Sequence, residues 1–131
     1  MPRAPRPVLY VSERPILYVA GPMTSSGDSY RNVGIGVAAG YRALRLGWAP
    51  YVPHFDALLN MMAGYAGDLP VTYEECMELD FVYVRAAYAL LRLPGHSPGA
   101  EREVALAESL GKPVFDEESL PEVVVRSLRS V

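Results

Sequence analysis

The stretch 93–114, LPGHSPGAEREVALAESLGKPV, constrains the fold of this chain most strongly. It begins with two prolines and two glycines within 94–99, which cannot lie inside a helix or a central strand. Apolar residues then recur at helical spacing over 100–110, and Gly111 and Pro113 follow where such a helix must end. Short apolar runs lie on either side. The pattern therefore predicts a strand, a glycine-rich turn, a helix and a second strand.

Such a unit places its turn at the carboxyl edge of a sheet, where open α/β folds bind ligands. The first helical turn offers unpaired N–H groups and the positive end of the helix dipole, so Ser97, Gly99 and Ala100 are candidates to hold a phosphate. Glu103 follows one turn later on the same side. A carboxylate beside a phosphate site suggests a nucleotide enzyme. The alternative is a plain turn followed by a glutamate that only complements the dipole.

The rest of the chain alternates between short apolar runs and longer helical patterns. Strands are predicted at 16–20 and 48–52, and helices at about 30–46, 72–87 and 119–128. Alternation with short connections predicts a parallel sheet covered by helices on both faces. We therefore expect an α/β fold, a small Rossmann-like or flavodoxin-like three-layer sandwich with a mostly parallel sheet of four or five strands.

Two segments leave their role open, and the first long helix shows an unusual pattern of small residues. Residues 8–11 form either an extra edge strand or a contact with a neighbouring subunit, and residues 58–67 form either a short helix or a lid over an apolar pocket. In the helix 30–46, small residues at 34, 36 and 40 suggest close packing. The apolar side of that helix is expected to consist of Val33, Val37, Ala38, Tyr41, Ala43 and Leu44.

The polar loop after the strand 16–20 is a second candidate ligand site. Its candidate binding residues are Gly21, Pro22, Met23, Thr24 and Ser25. Arg31, in the first turn of the next helix, either reaches an anionic ligand or forms a surface salt bridge. His54 either contacts a ligand base or is a structural or solvated histidine. Asp80 lies among apolar residues in mid-helix, and periodicity allows either a solvent-facing or a pocket position.

Composition excludes several classes of function. A chain of 131 residues, half of them hydrophobic, predicts one domain at 15–131 after a Pro- and Arg-rich extension at 1–14. A net charge of −3 with mixed signs argues against binding a nucleic-acid polymer. Cys76 is the only cysteine and the histidines form no ligand cluster with the carboxylates, so no metal is expected. The absence of a long apolar run and of a secretory signal predicts no membrane association and a cytoplasmic location.

Three separate motifs carry a resemblance to a known family. YVAGPMT at 18–24, Asp80 and SPGAERE at 97–103 resemble the nucleoside 2-deoxyribosyltransferase superfamily, which includes the 2′-deoxynucleoside 5′-phosphate N-hydrolases. The layout of LPGHSPGA followed by Glu-x3-Ala-x3-Gly-Lys-Pro is most similar to the branch known as the DUF4406 domain. The resemblance spans about residues 16–115. No dinucleotide fingerprint follows the first central strand, and no Walker P-loop is present.

The resemblance implies a role for each motif residue. Glu103 would attack C1′ of a 2-deoxyribosyl group, Tyr18 would orient that carboxylate, and Asp80 would assist departure of the base. Ser97, Gly99 and the loop 21–26 would hold the 5′ end. No cofactor is implied. Members of the superfamily are commonly homo-oligomers, and the segment 58–65 and the glycine-rich first helix are the candidate contacts here.

Ser97 favours one branch of the superfamily. Relatives that take nucleosides tend to carry an acidic residue at this position, which would repel a 5′-phosphate, whereas a serine at a helix N-terminus would donate to it. The expected function is therefore hydrolysis of 2′-deoxynucleoside 5′-monophosphates. The alternatives are a deoxyribosyltransferase, a non-catalytic nucleotide-binding module or a partner-binding domain. Departures from the family pattern, which leave the substrate open, occur at Tyr88, Glu101, Arg102 and Ala105.

Overall fold

The computed structural model describes residues 5–23 and 29–126. Its elements are β1 (Val8–Val11), β2 (Ile16–Ala20), α1 (Ser29–Arg45), β3 (Ala49–Tyr51), α2 (Phe55–Ala66), α3 (Tyr73–Ala86), β4 (Ala89–Arg92), α4 (Pro98–Ser109), β5 (Val114–Phe115) and β6 (Glu122–Val125). The main sheet has the order β3-β2-β4-β5 with every pair parallel, and β1 pairs with β6 in a separate parallel sheet. The expected small Rossmann-like α/β fold is confirmed.

Strand β2 lies at the centre of the main sheet and directs its side chains to two cores. Leu17 and Val19 pack in the first core, which contains Trp48 and residues of α1. Tyr18 and Ala20 pack in the second core, which contains residues of α3 and α4. Because side chains alternate along a strand, this register directs Tyr18 towards the α3–α4 layer. Helices on both faces of the sheet complete the three layers.

Helix α1 packs through its smallest residues. A Cβ atom at Gly36 would lie 2.7 Å from the His54 ring, and one at Gly40 would lie 2.9 Å from Val52 Cγ2. The close packing predicted for these two glycines is confirmed, whereas Gly34 has nothing within 4 Å of that position. The expected apolar side is wrong for its largest members, since the exposed residues include Val37, Tyr41 and Leu44. Short side chains are favoured on the inner face because they let the helix approach the sheet closely.

The predicted helix at 119–128 is wrong. Asp116 and Ser119 form a turn, in which Ser119 N donates to Asp116 Oδ1 at 2.8 Å and Asp116 N donates to Ser119 Oγ at 3.1 Å. The chain then enters β6, which contains three consecutive valines. β-Branched side chains fit a strand better than a helix, and β1 supplies the hydrogen-bonding partner. Residues 8–11, whose role was open, thus form a strand.

Two further points differ from strict alternation. The segment 58–67, left open between a helix and a lid, lies largely within α2. Helix α3 follows it directly, so two helices connect β3 to β4. Across residues 5–23 and 29–126, no helix has both the length and the apolar character needed to cross a membrane.

Candidate active site

The site is built around a contact between β2 and α4. Helix α4 begins at Pro98, and the Ser97 Oγ caps it by accepting from Ala100 N at 3.1 Å. Glu103 lies about one turn later with its side chain towards the sheet, and the residue is 4% exposed. The hydroxyl of Tyr18, a completely buried residue, donates a hydrogen bond to Glu103 Oε2. The fold thus joins two residues that lie 85 positions apart in the sequence.

Asp80 lies beside this pair on the buried face of α3. The helix is fixed at its start by a complete capping box, in which Glu75 N donates to Thr72 Oγ1 at 3.1 Å and Thr72 N donates to Glu75 Oε1 at 3.0 Å. Asp80 is 4% exposed, so the solvent-facing position that periodicity allowed is not the observed one. Its carboxyl interacts with that of Glu103.

Asp56 is a third buried carboxyl that the sequence analysis did not select. It lies in the first turn of α2, is 2% exposed and interacts with Asp80. Neither of its oxygens, nor Oδ1 of Asp80, accepts a hydrogen bond from the described residues. Its position gave a signal, because an aspartate soon after the carboxyl end of a strand next to β2 is directed to the same edge of the sheet.

Burial is the main cause of the raised pKa values of Asp80, Glu103 and Tyr18. Burial, together with the interactions with Asp56 and Glu103, raises the pKa of Asp80 to about 9. Burial also raises the pKa of Glu103 to about 7, although the hydrogen bond from Tyr18 and the interaction with Asp80 oppose the rise. Burial and the charges of Glu103 and Asp80 raise the pKa of Tyr18 far above its usual range. Near neutral pH, Tyr18 is therefore a neutral donor, Asp80 a protonated acid and Glu103 partly ionised.

Arg92 is a second residue that the sequence analysis did not select. It ends β4, and its guanidinium donates to Gly95 O at 3.0 Å, to Glu101 Oε1 at 2.8 Å and to Leu93 O. These bonds fix the turn that leads into α4. The charge of Arg92 opposes the rise that burial causes in the pKa of Glu103. A lone arginine at the carboxyl end of an otherwise apolar strand was the available signal.

The loop after β2 is held against the loop after β4. A Cβ atom at Gly21 would lie 2.9 Å from Leu93 Cβ, so only glycine fits this crossing without movement. Gly95 has φ +113°, and a Cβ there would lie 2.8 Å from Pro22 Cγ. Met23 O accepts from the Asn32 side chain at 2.9 Å. The described part of this loop is thus tied in place, whereas Thr24 and Ser25 lie outside the described residues.

His54 contacts the loop after β2, and Arg31 follows that loop in the sequence. His54 is buried against Gly36, and its Nε2 donates to Pro22 O at 3.1 Å. Burial lowers the pKa of His54, which favours the neutral ring. Of the alternatives for His54, the structural one describes its position, as a link between two loops. Arg31 is exposed on α1.

The α4 N-terminus contains the remaining candidate binding residues. Ser97 is 8% exposed, and its Oγ accepts from Ala100 N, a bond that does not use the hydroxyl hydrogen. The Ala100 N–H, by contrast, is already bound by this cap. A Cβ on Gly99 would lie 3.4 Å from Met77 Sδ and 3.5 Å from the Tyr73 hydroxyl. Gly99 therefore allows α3 to approach the start of α4.

Three tyrosine rings form a stack beside the carboxyls. Tyr18 and Tyr51 have ring centroids 5.9 Å apart, and Tyr51 and Tyr83 have theirs 4.0 Å apart at an interplanar angle of 19°. Burial raises the pKa of Tyr51, with further contributions from Tyr83 and the charge of Asp56. The sequence analysis did not select Tyr51 or Tyr83. An aromatic stack next to an acid is suited to packing a planar ligand.

No protein-family model matches the chain, and no curated protein is significantly similar to it. Within residues 5–23 and 29–126, no group of three or more His, Cys, Asp or Glu residues is arranged to hold a metal ion. The site brings together the buried carboxyls of Glu103 and Asp80 and the Tyr18 hydroxyl, which donates to Glu103.

Proposed function

We propose that this chain is an N-glycosidase that hydrolyses 2′-deoxynucleoside 5′-monophosphates and releases the free base. The observation that carries the proposal is the buried hydrogen bond from Tyr18 to Glu103, with the Asp80 carboxyl beside it. The arrangement supplies a nucleophile and an acid with different protonation at one pH. The resemblance to the nucleoside 2-deoxyribosyltransferase superfamily supplies the substrate class.

In the first step, a Glu103 oxygen attacks C1′ of the deoxyribose. The bond from C1′ to the base nitrogen breaks, its electron pair goes to the base, and the base takes a proton from Asp80. Cleavage of such a bond passes through an oxocarbenium-like state, which a carboxylate next to C1′ stabilises and then captures. The pKa of about 7 at Glu103 and of about 9 at Asp80 leaves a range of pH in which the first is ionised and the second protonated.

In the second step, water attacks C1′ of the deoxyribosyl–Glu103 ester. The bond from C1′ to the Glu103 oxygen breaks, and the water proton passes to Asp80. Tyr18 donates to Glu103 and so stabilises it as a carboxylate leaving group. Because the pKa of Tyr18 is raised so far, its hydroxyl keeps its proton throughout.

Two features support a nucleotide substrate. The exposed Tyr83 ring, which stacks on Tyr51, offers aromatic surface for a base, and the Ser97 hydroxyl lies at the positive end of α4, where it would donate to a 5′-phosphate. A transferase would use the same first step, with an acceptor base in place of water. Exposed apolar side chains on α2, at Leu58, Met61, Met62 and Tyr65, support the proposal that the enzyme is a homo-oligomer.

The test is incubation with a panel of deoxynucleoside 5′-monophosphates and deoxynucleosides, followed by chromatography for free base. Glu103→Gln should abolish release. The matched control, Glu108→Gln, changes an exposed residue of the same helix and should retain it. Intact-mass analysis of acid-quenched enzyme should detect a deoxyribosyl phosphate adduct on the wild type and not on Glu103→Gln.

Base release at the wild-type rate by Glu103→Gln would refute the mechanism. Failure of the wild type to release any base would refute the enzymatic proposal. If a nucleotide nevertheless raised the melting temperature of the wild type and was recovered intact, the chain would be a nucleotide-binding module.

A further inference from the structure

Asp56 has no role in the chemistry derived above, although it is the least exposed of the three carboxyl residues. Both of its oxygens are buried and accept no hydrogen bond from the described residues, and one oxygen of Asp80 is in the same situation. A buried carboxylate without hydrogen-bond donors destabilises the folded state, because it has lost its hydration and gained nothing in return. The fold keeps two such carboxyls side by side, so neighbouring protein groups must supply the hydrogen bonds that water would otherwise donate.

The groups around Asp56 include few proton donors. His54 has its Nε2 proton committed to Pro22 O. The Cys76 thiol, a weak donor, interacts with the Asp56 carboxyl, and burial and the neighbouring carboxylates raise the pKa of this thiol to about 11, so it keeps its own proton. On the other side of Asp80 stand Glu103 and the Tyr18 hydroxyl, which is committed to Glu103.

The nearby aromatic and cationic groups that the structure describes donate no hydrogen bond to Asp56. Tyr51 is close enough to sense the charge of Asp56, and it stacks on Tyr83. Arg92, whose charge acts on Glu103, donates its hydrogen bonds to the turn before α4 and to Glu101. Carboxylates only accept hydrogen bonds, so Asp56 and Asp80 can satisfy each other only if one of them carries a proton. Two ionised carboxylates side by side would also repel each other.

We propose that Asp56 is a positioning residue that shares one proton with Asp80 and thereby holds Asp80 as the acid of the site. Asp56 retains the negative charge of the pair, and the Asp80 hydroxyl hydrogen is held between them. When the proton leaves for the base, both members are ionised, which favours recovery of a proton from water in the second step. The catalytic consequence rests on the proposed function, whereas the sharing itself does not.

The direct test is a pH titration of the side-chain carboxyl carbons by NMR in isotopically labelled protein with a chelator present. In the wild type, the signals of Asp56 and Asp80 should titrate together in two widely separated steps, with one proton retained above neutral pH. Asp56→Asn places an amide donor against Asp80 and should lower the proton affinity of Asp80 at least tenfold. The control Asp68→Asn, at an exposed residue that follows α2, should leave the Asp80 titration unchanged.

Independent titration of Asp56 and Asp80 in the wild type, each in the usual aspartate range, would overturn the proposal even if Asp56→Asn failed to fold. So would an unchanged Asp80 titration in a folded Asp56→Asn. Displacement of the retained proton by stoichiometric Mg²⁺ would also overturn it, because the pair would then be a cation site.

Kinetics supply a separate readout. If the wild type releases base, the alkaline limb of its pH profile should move to lower pH in Asp56→Asn by the same factor as the Asp80 titration, while Asp68→Asn keeps the wild-type profile. A purely structural role for Asp56 would lower the rate at every pH without moving the limb, and that result would count against the proposal. If the wild type releases no base, the proposed function fails, and the NMR titration still decides whether the proton is shared.

Discussion

Replacing Tyr18 with phenylalanine removes one hydroxyl from the centre of the candidate site and leaves the ring in place. Tyr18 is completely buried, so water cannot replace the lost donor to Glu103. A hydrogen bond to a charged group contributes about 1.5–3 kcal/mol and a neutral one about 0.5–1.5 kcal/mol. The cost of Tyr18→Phe therefore depends on whether Glu103 is ionised.

The pKa of about 7 at Glu103 makes the two situations accessible in one protein. At about pH 8.5 Glu103 is mostly ionised, and at about pH 5 it is mostly protonated. We expect Tyr18→Phe to lower the free energy of unfolding by about 1 kcal/mol more at the higher pH than at the lower. In linkage terms, the substitution raises the proton affinity of Glu103 in the folded state about fivefold.

Urea unfolding followed by circular dichroism at the two pH values measures this difference. Tyr65→Phe is the matched control, because Tyr65 is strongly exposed and its hydroxyl has water available. The control should cost little at either pH. An equal loss of stability at both pH values for Tyr18→Phe would show that the hydroxyl does not interact with an ionisable Glu103, and the reasoning would be refuted.

Two further predictions concern the stability of the fold. Folding raises the pKa of Asp80 from 3.8 to about 9 and that of Glu103 from 4.5 to about 7. The folded chain therefore binds more protons than the unfolded chain between these values. The stability that the two groups contribute is present below about pH 4 and is lost as the pH rises to about 9. Thermal melts across this range should show the loss, and Glu103→Gln should flatten it; a curve parallel to that of the wild type would contradict the assignment. Gly36→Ala should destabilise by about 1–3 kcal/mol, because the new Cβ would lie 2.7 Å from the His54 ring, whereas Gly34→Ala meets open space and should stabilise by up to about 1 kcal/mol. Chemical unfolding of the pair measures both, and equal effects would refute the packing argument.

Much of the fold could be predicted because local signals agreed with the tertiary structure. The turn at 94–99, the capping box at Thr72 and the apolar strand at 16–20 each have one natural reading, and together they specify parallel strands joined by helices. The C-terminal segment failed for a physical reason. A proline preceded by serine and leucine resembles a helix start, but the valines of β6 had a partner in β1 that lies more than 110 residues away.

The candidate site was predictable only in part. Tyr18, Asp80 and Glu103 lie on motifs, and the fold brings them together. Asp56 looks like an ordinary first-turn carboxylate, which usually faces solvent and complements the helix dipole. Asp56 is buried beside Cys76 and Asp80 of α3, a tertiary relation that periodicity in either helix does not contain. The exposed large residues of α1 have the same origin, since glycines determine which face approaches the sheet.

The pairing of β1 with β6 has a consequence for biosynthesis. Val8 lies opposite Glu122, and Leu120 and Val123 fill the core next to Trp48. A ribosome makes the first of these strands early and the other only after more than a hundred further residues. During that interval the nascent chain must keep an apolar seam uncovered, because contacts of such long range close late. A truncated chain that ends before β6 should therefore bind chaperones and aggregate, even though it contains every residue of the candidate site.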